Sequence, residues 1–285
     1  MTAKFGPAGN CNDFYAAGHK STTEMPAFLH ERGLDAYEYQ CGRGVRLSDA
    51  TATALRQSAE QNGVQLSLHA PYYISLASAE EEKRLNSVRY ILESAAAVQK
   101  LGGTRIVVHP GGLGGRSREA ATALAIETLK LAQQTLDENG LSAVNICPEV
   151  MGKINQLGTL EEVLEMCAVD ERFLPCVDFG HLNSRTAGTL TDSAAFAAVL
   201  DTMENAIGTA RMKVFHSHFS KIEYTAGGEK KHLTFADTQF GPDPAPLMEL
   251  LAKRGYTPTV ICESDGTQTA DAAAMQALYL AAKGE

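Results

Sequence analysis

Metal-competent side chains end six short apolar runs of this 285-residue sequence: His69, His109, Glu149, Asp178, one of the pair His216 and His218, and Glu263. A lone polar residue at the end of such a run is ordinary. Six at corresponding places form a pattern, and neutral imidazoles together with carboxylates suit zinc, manganese or iron. His181, three residues past Asp178 in "CVDFGHLNSR" (176–185), can face another side of the same centre, which favours more than one ion. A carboxylate bridges two cations through its two oxygens, and Glu149, midway along the set, is the best bridge. Two ions about 3.5–4 Å apart would clamp the attacking and leaving oxygens of a displacement at phosphorus. His19 and His30 read as isolated surface or packing residues. Cys147, two positions before Glu149, shares its face one layer deeper and reads as core, as does Cys262.

Such residues meet only if the elements beneath them converge. The chain alternates short β-rich runs with stretches whose apolar residues recur every three or four positions. Eight strands are expected, at 3–8, 35–40, 64–69, 104–109, 143–149, 173–178, 212–218 and 258–263. Helical patterns separate them, as in "SAEEEKRLNSVRYILESAAAVQKLGG" (78–103), with a Ser cap, a Glu-rich first turn and a Gly end. With no linker, repeat or low-complexity segment, the expectation is an α/β protein, a single (β/α)8 TIM barrel over residues 1–285. In that fold all C-terminal strand ends open on one mouth, where groups distant in sequence gather. A doubly wound sheet is the alternative, weakened because no G-x-G-x-x-G follows the first strand. "HPGGLGGRS" (109–117) lacks the Lys-Ser/Thr ending of a P-loop and reads as a loop beside His109.

Composition narrows the setting. A chain 44% hydrophobic and 21% charged can bury a sizeable core. Its net charge of -9 argues against a generally basic nucleic-acid coat, so any DNA affinity must come from a local face. The loops after strands two, four, five and six carry such charge: Arg43, Arg46, Arg116, Arg118, Lys153 and Arg185. Six cysteines without a C-x-x-C pair suit a reducing compartment. With no signal pattern and no apolar run long enough for a bilayer, a cytoplasmic protein is expected, without membrane association or an obligate protein partner.

From about residue 60 onward the sequence resembles the endonuclease IV family (AP endonuclease family 2), zinc-dependent apurinic/apyrimidinic endonucleases among the xylose-isomerase-like TIM barrels. The likeness is carried by "LHAPYYISLAS" (68–78), "VVHPGG" (107–112), "CPEVMG" (147–152), "CVDFGHLNSRTAG" (176–188), "VFHSHFSK" (214–221), "KKHLTF" (230–235) and "ICES" (261–264). The resemblance implies one zinc on His69, His109 and Glu149, and a second on Glu149, Asp178, His216 and Glu263, with a third at His181 and His232. It further implies water or hydroxide activated for attack on the phosphate 5′ to an abasic sugar, with Glu149 and Glu263 as catalytic carboxylates. Tyr72 would lie against the DNA, with Arg43, Arg116 and Lys221 as further substrate contacts.

Two departures bear on the ligand set. Where the family has Asp-x-His, this chain reads Lys230-Lys231-His232, so the third ion is expected to be sub-stoichiometric or bound only at excess zinc, unless Lys230 turns outward or Glu229 replaces the missing charge. After strand seven, His216 keeps the spacing to Lys221 while His218 offers a second imidazole on the same face, leaving both open as ligands. The competing expectation is a sugar isomerase or epimerase holding one divalent ion on Glu149, Asp178, a strand-seven His and Glu263. Such an enzyme has no need of His69 and His109 together, which favours a multinuclear hydrolase. A metal-binding barrel without catalysis would leave the basic loops unexplained.

Overall fold

A computed structural model describes residues 2–285. Its strands are β1 (Lys4–Pro7), β2 (Ala36–Gln40), β3 (Gln65–His69), β4 (Arg105–Val108), β5 (Asn145–Pro148), β6 (Cys176–Asp178), β7 (His216–Phe219), β8 (Lys221–Thr225), β9 (Gly228–Leu233) and β10 (Thr259–Cys262). Apart from β8 and β9, each lies within or against one of the eight stretches expected from the sequence. The helices are α1 (Asn12–Ala16), α2 (Met25–His30), α3 (Asp49–Asn62), α4 (Glu81–Lys100), α5 (Arg118–Glu138), α6 (Leu160–Cys167), α7 (Phe179–Arg185), α8 (Ser193–Met212), α9 (Ala245–Arg254) and α10 (Gln268–Lys283).

The parallel strands form two runs, β1-β10-β7-β6 and β2-β3-β4-β5. Two seams join them into a TIM barrel. At one, Asp35 N donates to Phe5 O and Gly9 N to Glu38 O; at the other, Leu174 N donates to Ile146 O and Val150 N to Cys176 O. Outward strand residues such as Phe5, Leu66, Ile106 and Cys262 join helix residues such as Leu55, Ile91 and Leu129 in the main core. Inside the barrel Val107, Cys147, Leu174 and Cys176 make a small separate cluster, the layer expected for Cys147.

Helix starts follow local chemistry. Ser48, Ser117 and Thr159 accept backbone N–H bonds at the starts of α3, α5 and α6, and Glu162 completes a capping box with Thr159. The expected Ser cap of α4 is displaced: Ser78 Oγ accepts from Glu80 N, and Glu80 itself is the N-cap, without a side-chain bond. The segment after β7, where no strand is expected before residue 258, contains the antiparallel β8–β9 hairpin. No helix among the described residues is long and apolar enough to cross a membrane.

Candidate metal centre

Strand alternation sets the depth of each group. In a strand, residues two apart share a face, so the inward residue before each strand-end ligand lies one layer down. The β6–β7 register pairs Asp178 with His218 and Cys176 with His216. His218 therefore stands level with the mouth, and His216 a layer below it. The two strand-seven histidines fall into different surroundings: His218 joins Glu149, Asp178 and Glu263 in one group of facing ligand atoms, in the place the resemblance gave to His216, while His216 faces Cys176 and His218 a layer deeper.

Glu149 is fully buried at the centre. Its Oε2 lies 2.9 Å from His109 Nε2 and 3.2 Å from His69 Nε2, while its Oε1 lies 3.3 Å from His218 Nδ1. The two oxygens thus face different imidazoles, Oε2 those of His69 and His109 and Oε1 those of His218 and His181, and Glu149 belongs both to a group with His69 and His109 and to one with Asp178, His218 and Glu263. His69 is aimed by its own neighbour, Nδ1 lying 2.9 Å from Ala70 O so that Nε2 turns to Glu149.

The Asp178-Phe-Gly-His181 spacing is a helix start. Asp178 N-caps α7, its Oδ1 accepting from His181 N at 2.6 Å. The other oxygen, Oδ2, is buried without a hydrogen-bond partner. The cap swings His181 into the first turn, where Nδ1 lies 3.0 Å from Val150 O and Nε2 3.4 Å from Glu229 Oε2.

Glu229 completes a third group with His181 and His232. In a regular strand residues 229 and 232 would face opposite ways. Pairing passes from Glu223↔Lys231 to Tyr224↔Glu229, leaving Lys230 as the extra residue of a β-bulge. Ile222 and Tyr224 share a face of β8, so their partners His232 and Glu229 share one too. Lys230 turns out to Glu223. The expected two-imidazole third site is corrected accordingly: the carboxylate is present one residue earlier, and a bulge absorbs the added length. Gly152 makes room for it, since a Cβ there would sit 2.6 Å from Glu229 Cβ.

The donor chemistry fits divalent cations. Groups of nitrogen and oxygen atoms converge there, and Asp178 Oδ2 is a buried acceptor without a hydrogen-bond partner, 3.4 Å from His181 Nδ1. The protonation pattern agrees. Burial alone would raise Glu149, yet His109 and His218 hold it well below the usual carboxylate range. Burial opposes charge on His69 and His181, but Glu149 lifts the first to about 9, and Asp178 with Glu149 lifts the second to about 10. A cation would take the place of these protons and release them.

Around the centre opens a cavity of about 460 Å3, lined by Gln40, Tyr72, Met151, Lys153, Gln156 and Gln268 beside the ligands. Tyr72, 62% exposed, leans over the rings of His69 and His109. The basic loops divide in two. Arg185 donates to the carbonyls of Met151, Lys153, Ile154 and Gln156, and Arg118 binds Glu162 together with two of those carbonyls, so both serve the loop after β5. Arg116 reaches Ala77 O and Gly114 O, and Lys221 donates to Phe235 O and Asp237 O, so part of the donor capacity of each is taken up within the protein. Arg43, Arg46 and Lys153 remain exposed.

Two acidic residues belong to the site without standing out in the sequence. Glu229 is marked there only as a substitute for a missing charge. Glu38, inward on β2 and fully buried, is hidden because β2 ends two residues later on Gln40. Its one signal is a carboxylate at an inward position of a strand, flanked on both sides by tyrosines.

A parallel eight-stranded barrel with convergent imidazoles and carboxylates at the C-terminal mouth defines the class: a TIM barrel with a candidate metal site. The profile of the xylose isomerase-like TIM barrel family matches residues 26–281, and the chain belongs to that family. An uncharacterized protein of Methanocaldococcus jannaschii is 34% identical over 83% of this chain and 84% of its own length. A protein named probable endonuclease 4, from Acholeplasma laidlawii, is 27% identical over 69% of this chain and 72% of its own. Among solved structures, a D-tagatose 3-epimerase-like protein superposes with a TM-score of 0.72 at 21% identity, covering 93% of this chain and 95% of that one. Endonuclease IV from Thermus thermophilus gives 0.64 at 22% identity, covering 92% and 95%. The named sequence relatives are thus probable endonucleases, while the barrels of similar fold include both an epimerase-like protein and an endonuclease.

Proposed function

We propose that the chain is a phosphodiesterase of endonuclease IV type, dependent on divalent cations and cutting DNA on the 5′ side of abasic sites. The observation that carries this reading is the sharing of Glu149 between two ligand groups, with a third group at His181, Glu229 and His232 beside them. One divalent ion would be served by Glu149, Asp178, His218 and Glu263 alone. The added imidazoles make sense for several ions gathered on one phosphate. Zinc is the first choice for this nitrogen and oxygen set, with manganese and iron also acceptable.

Bound cations of this kind polarise a phosphoryl oxygen and lower the pKa of water. The protein's own groups do the rest. Glu149, shielded from solvent, holds two ligand sets in fixed relation, and Glu263 stands at the exposed edge of the four-ligand group. Tyr72 offers an aromatic face to a displaced sugar or base, while Arg43, Arg46 and Lys153 supply positive charge for phosphates.

The second reading is a ketose epimerase, supported by the four-ligand group taken alone and by the similarity to the D-tagatose 3-epimerase-like barrel. The deciding experiment pairs elemental analysis with two assays, nicking of duplex DNA carrying one abasic site and epimerisation of ketoses. Two or three cations per chain with 5′ incision is expected; one cation with epimerisation and no incision would replace this reading with the second.

A further inference from the structure

Beneath the mouth lies a buried acid for which the proposed reaction has no use. Glu38 is fully buried on β2, at the seam where its carbonyl accepts from Gly9 N. Withdrawing a carboxylate from water costs several kcal/mol unless its oxygens are satisfied. Here they are. Ser67 Oγ donates to Oε2 at 3.0 Å, His216 Nε2 lies 3.0 Å from the same oxygen, and Gln40 Nε2 donates to Oε1 at 3.3 Å. The remaining neighbour is His218, whose Nε2 lies 3.0 Å from Oε1, within ion-pair reach though off the line of a good hydrogen bond.

We infer that Glu38 is a positioning residue for His218, holding its Nε2 so that Nδ1 faces the cation group of Glu149, Asp178 and Glu263. This rests on the reading of that group as a cation site. The geometry makes the roles of the two strand-seven histidines distinct. His216 Nδ1 is buried without a partner, so the proton of this ring belongs on Nε2, where it faces Glu38. His216 and Ser67 thereby fix the carboxylate plane from below, and the carboxylate in turn fixes His218 from behind. A ligand histidine backed by a carboxylate keeps one tautomer and one ring orientation, and loss of such a partner typically weakens metal binding about 10–100-fold. The two histidines in "HSH" are therefore a ligand and its support, two layers of one device.

The test uses the full chain stripped of metal and titrated with Co2+, whose visible absorption reports binding, alongside a zinc-loaded sample for nitrogen NMR of the histidine rings. In the unmodified protein the His218 ring should show a protonated Nε2 and a metal-shifted Nδ1; the reverse assignment would overturn the inference without any variant. Glu38→Gln keeps the volume but removes the charge. It should weaken one Co2+ by about 10–100-fold, leave the site at His181, Glu229 and His232 unchanged, and mix the two His218 ring forms. Glu38→Asp, with a shorter reach, should fall between. Should Glu38→Gln not fold, the ring assignment in the unmodified protein decides alone. If Glu149→Gln loses cations while Glu38→Gln binds Co2+ as the unmodified protein does, the positioning role is wrong and the cation site stands. If Glu149→Gln retains every cation, the cation site itself is wrong, and the positioning role falls with it.

Discussion

The ligands around Glu149 and those on the β8–β9 hairpin reach the same mouth by different routes. His69, His109, Glu149, Asp178, His218 and Glu263 stand at or just past the ends of parallel strands, where barrel geometry alone brings them together. Glu229 and His232 sit on a two-stranded excursion and share a face only because Lys230 is extra. The first set is built into the scaffold. The second depends on one residue's worth of irregularity and on the contact of the hairpin with the loop after β5, where Glu229 N donates to Gly152 O. Rigid placement and adaptable placement therefore meet at His181, which touches both Glu149 and Glu229.

Substitutions can separate the two constructions. The largest effect belongs to Glu149→Gln, which removes charge from two ligand groups at once: two cations per chain should be lost while the hairpin ion stays, as elemental analysis after metal-replete expression would read. Loss of all three would show that the hairpin site has no independence. Glu229→Ala should cost one cation only. Deleting Lys230 should cost none, because a shortened Glu-x-His spacing places both side chains on one face of a regular strand. Lys230→Asp should bring no gain, since that side chain is directed to Glu223; a rise in occupancy would return the third carboxylate to the position expected from the sequence.

Smaller effects probe the loops that frame the two regions. Arg185→Ala takes a guanidinium away from four carbonyls of the loop after β5, two of which Arg118 still holds, and should lower unfolding stability by about 2 kcal/mol, measured by denaturant titration. A change in cation content instead would make Arg185 part of the hairpin's support. Tyr72→Ala should weaken binding to abasic DNA by ~1 kcal/mol, the lower end for aromatic stacking, with stability unchanged. Arg43→Ala, the mildest, should reduce the salt dependence of DNA binding by about one unit of slope. Salt-independent binding in the unmodified protein would point to a neutral sugar.

The same contrast explains what the sequence can reveal. Strand-end ligands are legible because alternation and convergence are general rules: knowing where β3 ends is enough to place His69. The choice between His216 and His218 needs the register against β6, which no single segment contains. The hairpin is hidden because Gly228–Leu233 is rich in charge and carries a bulge, so neither alternation nor apolar content marks it as a strand. Arg118, Arg185 and Lys221 look free in the sequence for a related reason. Composition shows that a loop is basic, but only the fold shows that its charges are already engaged with neighbouring carbonyls.

The two seams give the barrel a mechanical character. Each half contributes its own strands, β2 to β5 on one side and β6, β7, β10 and β1 on the other, and a buried carboxylate stands at each join: Glu38 at the first and Glu149 at the second. His218 belongs to one half yet faces both carboxylates, through Nε2 and Nδ1 respectively. A cation held between Glu149 and His218 would rivet the halves together across the mouth. Resistance to heat then becomes a function of free metal: a single site at a hundredfold its dissociation constant adds about 2.7 kcal/mol, so the chain should melt at a higher temperature with its ions than without them.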